Sequence, residues 1–275
     1  MGQDISKGNE TLLEFQRLIE TSSCNPWEGT LRTGVDLGTA NIVLAVVDEQ
    51  NRPVAGATYP STVVRDGIVV DYIGALNAVT KLKDELEARL GTTLEAGACA
   101  IPPGIIEGNV RVIGNVVEGA GFRLTNVIDE PTAAATVLGI TDGAVVDVGG
   151  GTTGISILKN GEVIFTGDEP TGGTHMTLVL AGFHGWSIQE AELAKRDTAQ
   201  ESHVYPVVKP VVEKMASIVG RYLKDYPVDE IYVVGGACCF TQFESTFEKC
   251  LGVPVIKPAA PLLVTPLGIA VHCTL

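Results

Sequence analysis

Two stretches of the chain set an acidic residue just before glycines and hydroxyls, the composition that phosphate chemistry uses. VDLGTANIVLAVVDEQNRPV and VDVGGGTTGISILKNGEVI align through Asp36 and Asp147, 111 positions apart. In each copy an apolar run ends in the acid, glycines follow, and a second apolar run begins, which reads as strand, turn and strand. A dinucleotide-binding GxGxxG must open a helix instead, so a Rossmann site is disfavoured. Two acidic strand ends facing each other across a cleft would repel a polyphosphate. They can hold a hydrated Mg²⁺ that carries one, because Mg²⁺ keeps several waters and bridges carboxylates to phosphates. The glycines let backbone N–H groups reach phosphate oxygens with no side chain in the way. Asp36 and Asp147 are thus expected as metal-side acids acting through water, with Gly38, Thr39, Ala40, Gly149, Gly150, Gly151 and Thr152 as phosphate contacts.

Either hairpin alone could be an ordinary turn. An acid at Glu130 and a glycine pair at Gly235-Gly236, in this order along the chain, make turns a poor explanation of the set. Other chemistry has less support. Cysteines at 24, 99, 238, 239, 250 and 273 form no CxxC, and Cys238 and Cys239 are too close for an ordinary bridge, so reduced thiols in or near the core are expected. The histidines, 175, 184, 203 and 272, are scattered; His175 and His184 could approach each other, but no third ligand offers itself.

Positioning these residues takes a duplicated α/β framework. Thr33 to Val47 reads as a β-run with Asp-Leu-Gly-Thr inserted, and Val54 to Tyr59 as its partner strand. Ala75 to Leu90 is helical, with Gly91 as C-cap; Ala96 to Ile101 is a buried strand; Gly108 to Ala120 is a helix and Asn126 to Ile128 a strand. Glu130-Pro131-Thr132 reads as a strand-to-helix junction, proline suiting a first helical turn. The strands Ala144 to Asp147 and Thr152 to Leu158 follow, then helices over Ile188 to Arg196 and around Val208 to Tyr222. The strand Ile231 to Val234 comes next, then a helix opening near Phe240 and a closing helix, Val264 to Val271. The expected division is an N-terminal extension over 1–30, a first lobe over 31–139 that also takes the closing segment 264–275, and a second lobe over 140–263. In the extension, Leu12, Leu13, Phe15, Leu18 and Ile19 lie mostly on one helical stripe. That stripe suits either packing on the body or docking to a partner through Leu12, Phe15 and Ile19.

With 275 residues, 45% hydrophobic and 19% charged, the chain can bury a large core. A net charge of −14 argues against nucleic acid or an anionic membrane as the partner. The apolar runs are far shorter than the roughly 20 residues of a membrane helix. MGQDISKGNETLLEF has no basic start with an apolar stretch behind it, so a cytoplasmic location is expected.

Taken in order, VDLGT, DEPTAAA, VVDVGGGTTG, VVGGA and PLLVTPLGIAV resemble the two phosphate motifs, the two connecting motifs and the adenosine motif of the actin, sugar-kinase and heat-shock-chaperone superfamily. DEPTAAA with DVGGGT resembles DnaK-type chaperones. More narrowly, DGIVVDY, PPG, the GGTH segment, AELAKRDTAQE and YPVVKPVVEKM resemble the EutJ family of ethanolamine-utilisation proteins, over nearly everything after residue 31. The resemblance implies a two-lobed, actin-like (ribonuclease H-like) ATPase fold that binds ATP or ADP with Mg²⁺. Asp36 and Asp147 would position the metal through water, and Glu130 would help orient an attacking water. Gly235, Gly236 and Ala237 would pack on adenosine. Glu192 and Lys195, matching an AExxK element, would lie near the ribose, although a solvated helix face explains that pair equally well.

Departures from the superfamily pattern matter too. About fifteen residues separate the first hairpin from the helix at Ala75, and there is similarly little room between Lys195 and Val207. Both upper subdomains are therefore expected to be trimmed, leaving an open cleft. No lysine occurs between Tyr59 and Tyr72, where Arg65 is the one base, so the chaperones' catalytic lysine has no counterpart and at most a weak Mg-dependent ATPase is implied. The chain also stops soon after the closing helix, so a DnaK-style peptide-binding cycle is not expected. The resemblance implies a chaperone-like or assembly factor acting on ethanolamine ammonia-lyase or a bacterial microcompartment shell protein. A docking scaffold with a degenerate site, a small-molecule kinase and a filament are the alternatives.

Overall fold

Alternating apolar runs and turn residues build the same five-stranded sheet twice in a computed structural model that describes residues 3–65 and 67–274. Met1 and Gly2 of the extension, Asp66 at the head of DGIVVDY, and Leu275 lie outside the described residues. Helix α1 (Ser6–Glu20) precedes strands β1 (Arg32–Leu37), β2 (Asn41–Val47) and β3 (Pro53–Pro60) and a small ribbon of β4 (Val64–Arg65) and β5 (Ile68–Val69). Helix α2 (Tyr72–Leu90), β6 (Ala96–Ile101), α3 (Glu107–Gly119), β7 (Arg123–Asp129) and α4 (Glu130–Leu138) follow. The second half has β8 (Gly143–Val148), β9 (Thr153–Lys159), β10 (Glu162–Glu169), α5 (Gly173–His184), α6 (Ile188–Arg196) and α7 (Glu201–Leu223). It closes with β11 (Ile231–Val234), α8 (Phe243–Leu251), β12 (Val255–Ile256) and α9 (Val264–Val271).

One sheet runs β3-β2-β1-β6-β7 and the other β10-β9-β8-β11-β12, with an antiparallel hairpin side and a parallel side in each. Asp36 stands opposite Val43 in the first and Asp147 opposite Gly154 in the second, so the sequence repeat is a structural one. The cap chemistry is as the sequence dictates. Gly91 ends α2 in the left-handed conformation, and the Asp129 carboxylate accepts from the Thr132 N–H at the start of α4.

Several elements differ from expectation. Helix α5 and the strands β4, β5, β10 and β12 had no clear sequence signal. The helix after Gly235-Gly236 begins at Phe243, because a short 3-10 turn, Gly236–Cys238, intervenes. Helix α7 starts at Glu201 and runs through Pro206 and Pro210; buried Val204 and Tyr205, the latter with its hydroxyl donating to the Gln242 carbonyl at 2.9 Å, hold its first turns. Both upper subdomains are trimmed: only residues 61–71 separate β3 from α2, and only 197–200 separate α6 from α7.

One hydrophobic cluster joins the two sheets through α4 and α9, bringing Val43 and Ala45 of β2 together with Val145 of β8 and Val234 of β11. The helices meet very closely, since a Cβ at Gly268 would lie 2.0 Å from the Ala133 carbonyl oxygen. Helix α1 completes this core. Leu12, Phe15 and Leu18 are buried, Ile19 packs beside them and Leu13 points to solvent. The Gln3 side chain accepts from the Thr141 N–H at 2.7 Å, and Asn9 from the Ala259 N–H at 2.9 Å, tying the extension to the second half. Of the two readings of that stripe, packing on the body is the one the structure shows, and Leu12 and Phe15 are not free to dock a partner.

Candidate functional site

The ends of β1 and β8 converge on a cleft of about 320 Å³, lined by all the residues that the sequence singled out for phosphate, metal and nucleoside contacts. From the first sheet come Asp36, Gly38, Thr39 and Ala40; from the second come Asp147, Gly149, Gly150, Gly151 and Thr152. Glu130 enters from the first turn of α4, Glu192 and Lys195 from α6, and Gly235, Gly236 and Ala237 from the turn after β11.

The second turn is closed by a Gly149 N–H to Thr152 carbonyl bond of 3.0 Å. The N–H groups of Gly173 and Thr174, opening α5, donate to the Gly149 and Gly150 carbonyls at 2.9 and 2.7 Å. A Cβ at Gly150 would lie 3.0 Å from the Thr39 Cβ, so the two turns face each other at close range. Gly235, at φ +92°, brings its backbone so near that a Cβ there would lie 2.4 Å from the Asp147 carboxylate.

Three carboxylates share this floor, and each holds its proton more tightly than usual. Desolvation by the cleft walls and then the charge of Asp147 push Asp36 from 3.8 up to about 7. Desolvation pushes Asp147, only 6% exposed, up to about 6 against the opposing effect of the Thr265 hydroxyl, which donates to it at 2.5 Å. Glu130 is raised well above the normal range by desolvation and by Asp147, Asp36, Asp168 and Asp129. Such a concentration of negative potential beside exposed N–H groups suits a cation accompanied by an anion.

Glu192 and Lys195 are not a solvated face. Lys195 Nζ lies 2.6 Å from Glu192 Oε2 and donates to Thr177 Oγ1 at 2.8 Å and the Gly173 carbonyl at 3.0 Å. Burial works to raise the Glu192 pKa, but the charge of Lys195 and hydrogen bonds from Lys195, Thr177 and Arg196 outweigh it, leaving a lowered value. Thr177 and Thr265 escaped sequence reasoning. The first lies four residues past Gly173 in a helix without sequence signal, and the second inside PLLVTPLGIAV. Arg65 is exposed on β4 and does not line the cleft, although its neighbours Val64 and Gly67 do.

Other sequence candidates are dispersed. His175 and His184 occupy the first and last turns of α5, about 13 Å apart along its axis at the usual rise, so they do not meet. Cys99, Cys238 and Cys273 are buried, whereas Cys24, Cys239 and Cys250 are exposed, so half the thiols lie outside the expected core; all six are free. Among the described residues no helix is long and apolar enough to cross a membrane.

Comparison with known proteins bears on this cleft. A family model described as Hsp70 protein matches residues 71–192, and one described as Type IV pilus assembly protein PilM matches residues 134–263. The chain is 44% identical over 238 residues to the ethanolamine utilization protein EutJ of Salmonella typhimurium, covering 86% of this chain and 84% of that one. The crystal structure of EutJ from Carboxydothermus hydrogenoformans superposes with a TM-score of 0.93 at 48% identity, over 98% of this chain and 99% of that one. MreB5 of Spiroplasma citri, solved bound to AMPPNP, superposes with a TM-score of 0.72 at 17% identity, over 89% and 96% of the two chains, a likeness of fold alone.

Proposed function

The chain belongs to the EutJ family of ethanolamine utilization proteins and has the actin-like ATPase fold shared with Hsp70, and from that premise we propose that it is an ATP-binding, chaperone-like or assembly factor for ethanolamine utilisation. Its client in this reading is ethanolamine ammonia-lyase or a shell protein of the microcompartment.

The observation that supports nucleotide binding most is the carboxylate floor between two glycine turns. Burial, and for Asp36 and Glu130 the charge of neighbouring carboxylates as well, disfavours the ionised forms of Asp36, Glu130 and Asp147, and a divalent cation would reverse that penalty. In this reading Asp36 and Asp147 hold Mg²⁺ through water, and the metal supplies charge neutralisation for the phosphates. Gly38, Thr39, Ala40, Gly150, Gly151 and Thr152 offer their N–H groups to phosphate oxygens while Gly149, its N–H closing the turn, lets the phosphate approach; Gly235, Gly236 and Ala237 support adenosine, and Glu192 with Lys195 lies near the ribose. Glu130 orients a water in any hydrolysis, which is weak because the cleft has no lysine from the Arg65 region. The functional division is residues 1–30 as extension, 31–139 with 264–275 as first lobe, and 140–263 as second lobe.

Titration calorimetry with Mg²⁺-ATP and Mg²⁺-ADP, alongside thermal unfolding, tests the cleft. Ligand at a hundred times its dissociation constant stabilises by about 2.7 kcal/mol, a shift of roughly 5–10 °C for a chain of this size. The shift is expected to need Mg²⁺ and to vanish in Asp147→Ala. No heat and no shift at millimolar nucleotide would leave a docking scaffold instead. Co-purification with the lyase or a shell protein from ethanolamine-grown cells tests the client, and absence of both from the pull-down refutes it.

A further inference from the structure

Helix α5 is apolar on both of its sides. The inner side, with Met176, Leu180 and Ala181, is buried in the core of the second half. The outer side carries Leu178, Val179 and Phe183, continued by Trp186, spaced one, four and three residues apart, and all four are exposed. Phe183 is 69% exposed and Leu178 51%. A surface helix ordinarily turns polar side chains to water, and one that is apolar all round is a helix that something covers.

Charge disappears at the same place. From Pro170 through Gln189 there is no Asp, Glu, Lys or Arg, in a chain that is 19% charged and carries −14 overall. The aromatic end of the stripe is already ordered. The His184 ring stacks on Trp186 at 4.0 Å, and Phe183 meets His184 edge-on at 4.8 Å. In the middle lies Gly182, where an added Cβ would meet nothing within 4 Å, leaving space for a second helix to come close.

We propose that α5 is the contact surface of a symmetric homodimer, in which α5 of one copy crosses α5 of its partner antiparallel near Gly182. Two molecules of charge −14 repel each other, and an uncharged face is where that repulsion costs least. A face with no charge cannot select a partner by opposite sign, whereas a two-fold axis needs only the same stripe presented twice. The stripe with Ile188 presents five exposed apolar side chains, against roughly 20–30 residues a side in a standard interface, so the dimer forms reversibly and depends on concentration.

Sedimentation equilibrium of the full chain from low to high micromolar concentration tests this. A monomer–dimer equilibrium is expected, strengthened by added salt because salt screens the repulsion. Phe183→Asp and Leu178→Asp should each weaken the dimer at least roughly tenfold, while Phe183→Leu keeps most of it. Circular dichroism and melting confirm that each exposed-site variant is folded. A chain that stays monomeric at the highest concentration overturns the proposal, as does a dimer indifferent to both Asp variants. A monomer that co-sediments with phosphatidylcholine–phosphatidylglycerol vesicles through Phe183 also overturns it, and assigns the stripe to a lipid surface.

Discussion

Thr265, in the first turn of α9, donates its hydroxyl to Asp147 at the end of β8 across 118 positions of chain, at 2.5 Å. The bond holds one carboxylate oxygen and opposes the rise that burial imposes on its pKa. Thr265→Val keeps the shape and removes the donor. Asp147 should then titrate higher, so the affinity for Mg²⁺-ADP should drop several-fold, and more at pH 6 than at pH 8. Calorimetry at the two pH values checks this, and an equal loss at both would contradict it.

Asp36 sets a pH dependence of stability in the ligand-free protein. Its pKa rises from 3.8 to about 7 in the fold, so between about pH 4 and 7 the native state keeps a proton that the unfolded chain has released. Stability from this group is complete below pH 4 and is lost as pH rises through 7. Asp36→Asn cannot ionise, so it should melt higher than the parent at pH 8, by up to about 4 kcal/mol or roughly 10 °C. At pH 4 the two should melt together. Melting curves over this range decide it, and a lower melting point for the variant at pH 8 would reverse the sign.

Glu192 is the hub of its cluster, taking Lys195, Thr177 and Arg196. Glu192→Gln takes away the negative charge facing the largely buried Lys195 ammonium and leaves it neutral acceptors alone, at a cost of about 2 kcal/mol. Lys195→Met should cost less, because Glu192 keeps Arg196 and Thr177. Urea unfolding of the two variants gives the order directly.

Gly268 lets α9 lie against α4. A methyl group there would sit 2.0 Å from the Ala133 carbonyl oxygen, a backbone atom that cannot swing aside. Gly268→Ala should therefore cost about 3 kcal/mol, at the upper end of ordinary overpacking. Thermal melting shows the loss. Gly139→Ala, where the left-handed φ is strained but the space is open, should cost less.

Much of the cleft was legible because its signals are local. The acid, the glycines after it and the flanking apolar runs occupy a dozen consecutive residues, and duplication about Asp36 and Asp147 removed most of the ambiguity of either copy. Ala96–Ile101, Ile188–Arg196 and Ile231–Val234 fall at their expected bounds because Pro, Gly or a capping Ser marks at least one end of each, and Val264–Val271 does so with Pro266 in its first turn. Helix α5 was illegible for a physical reason, since apolar residues on both of its sides leave no period to distinguish helix from strand. The hydroxyls of Thr177 and Thr265 act on partners that folding brings near, so no spacing announces them. Leu12 and Phe15 read as an apolar face, but its choice of seat depends on the β2 and β3 surface and on the end of α4.

The anchoring of α1 bears on how the chain comes off the ribosome. Asn9 bonds to Ala259, 250 positions later, and the core that buries Leu12 and Phe15 includes Val234 and Leu267. At about 5–20 residues per second, the helix waits roughly 10–50 s after its own synthesis before that seat exists. Throughout that interval its apolar stripe has only the part of its seat that β2, β3 and α4 provide, and the side that faces Val234 and Leu267 is open to any holdase at the exit port. The last part of its docking therefore waits for the segment from β11 to α9.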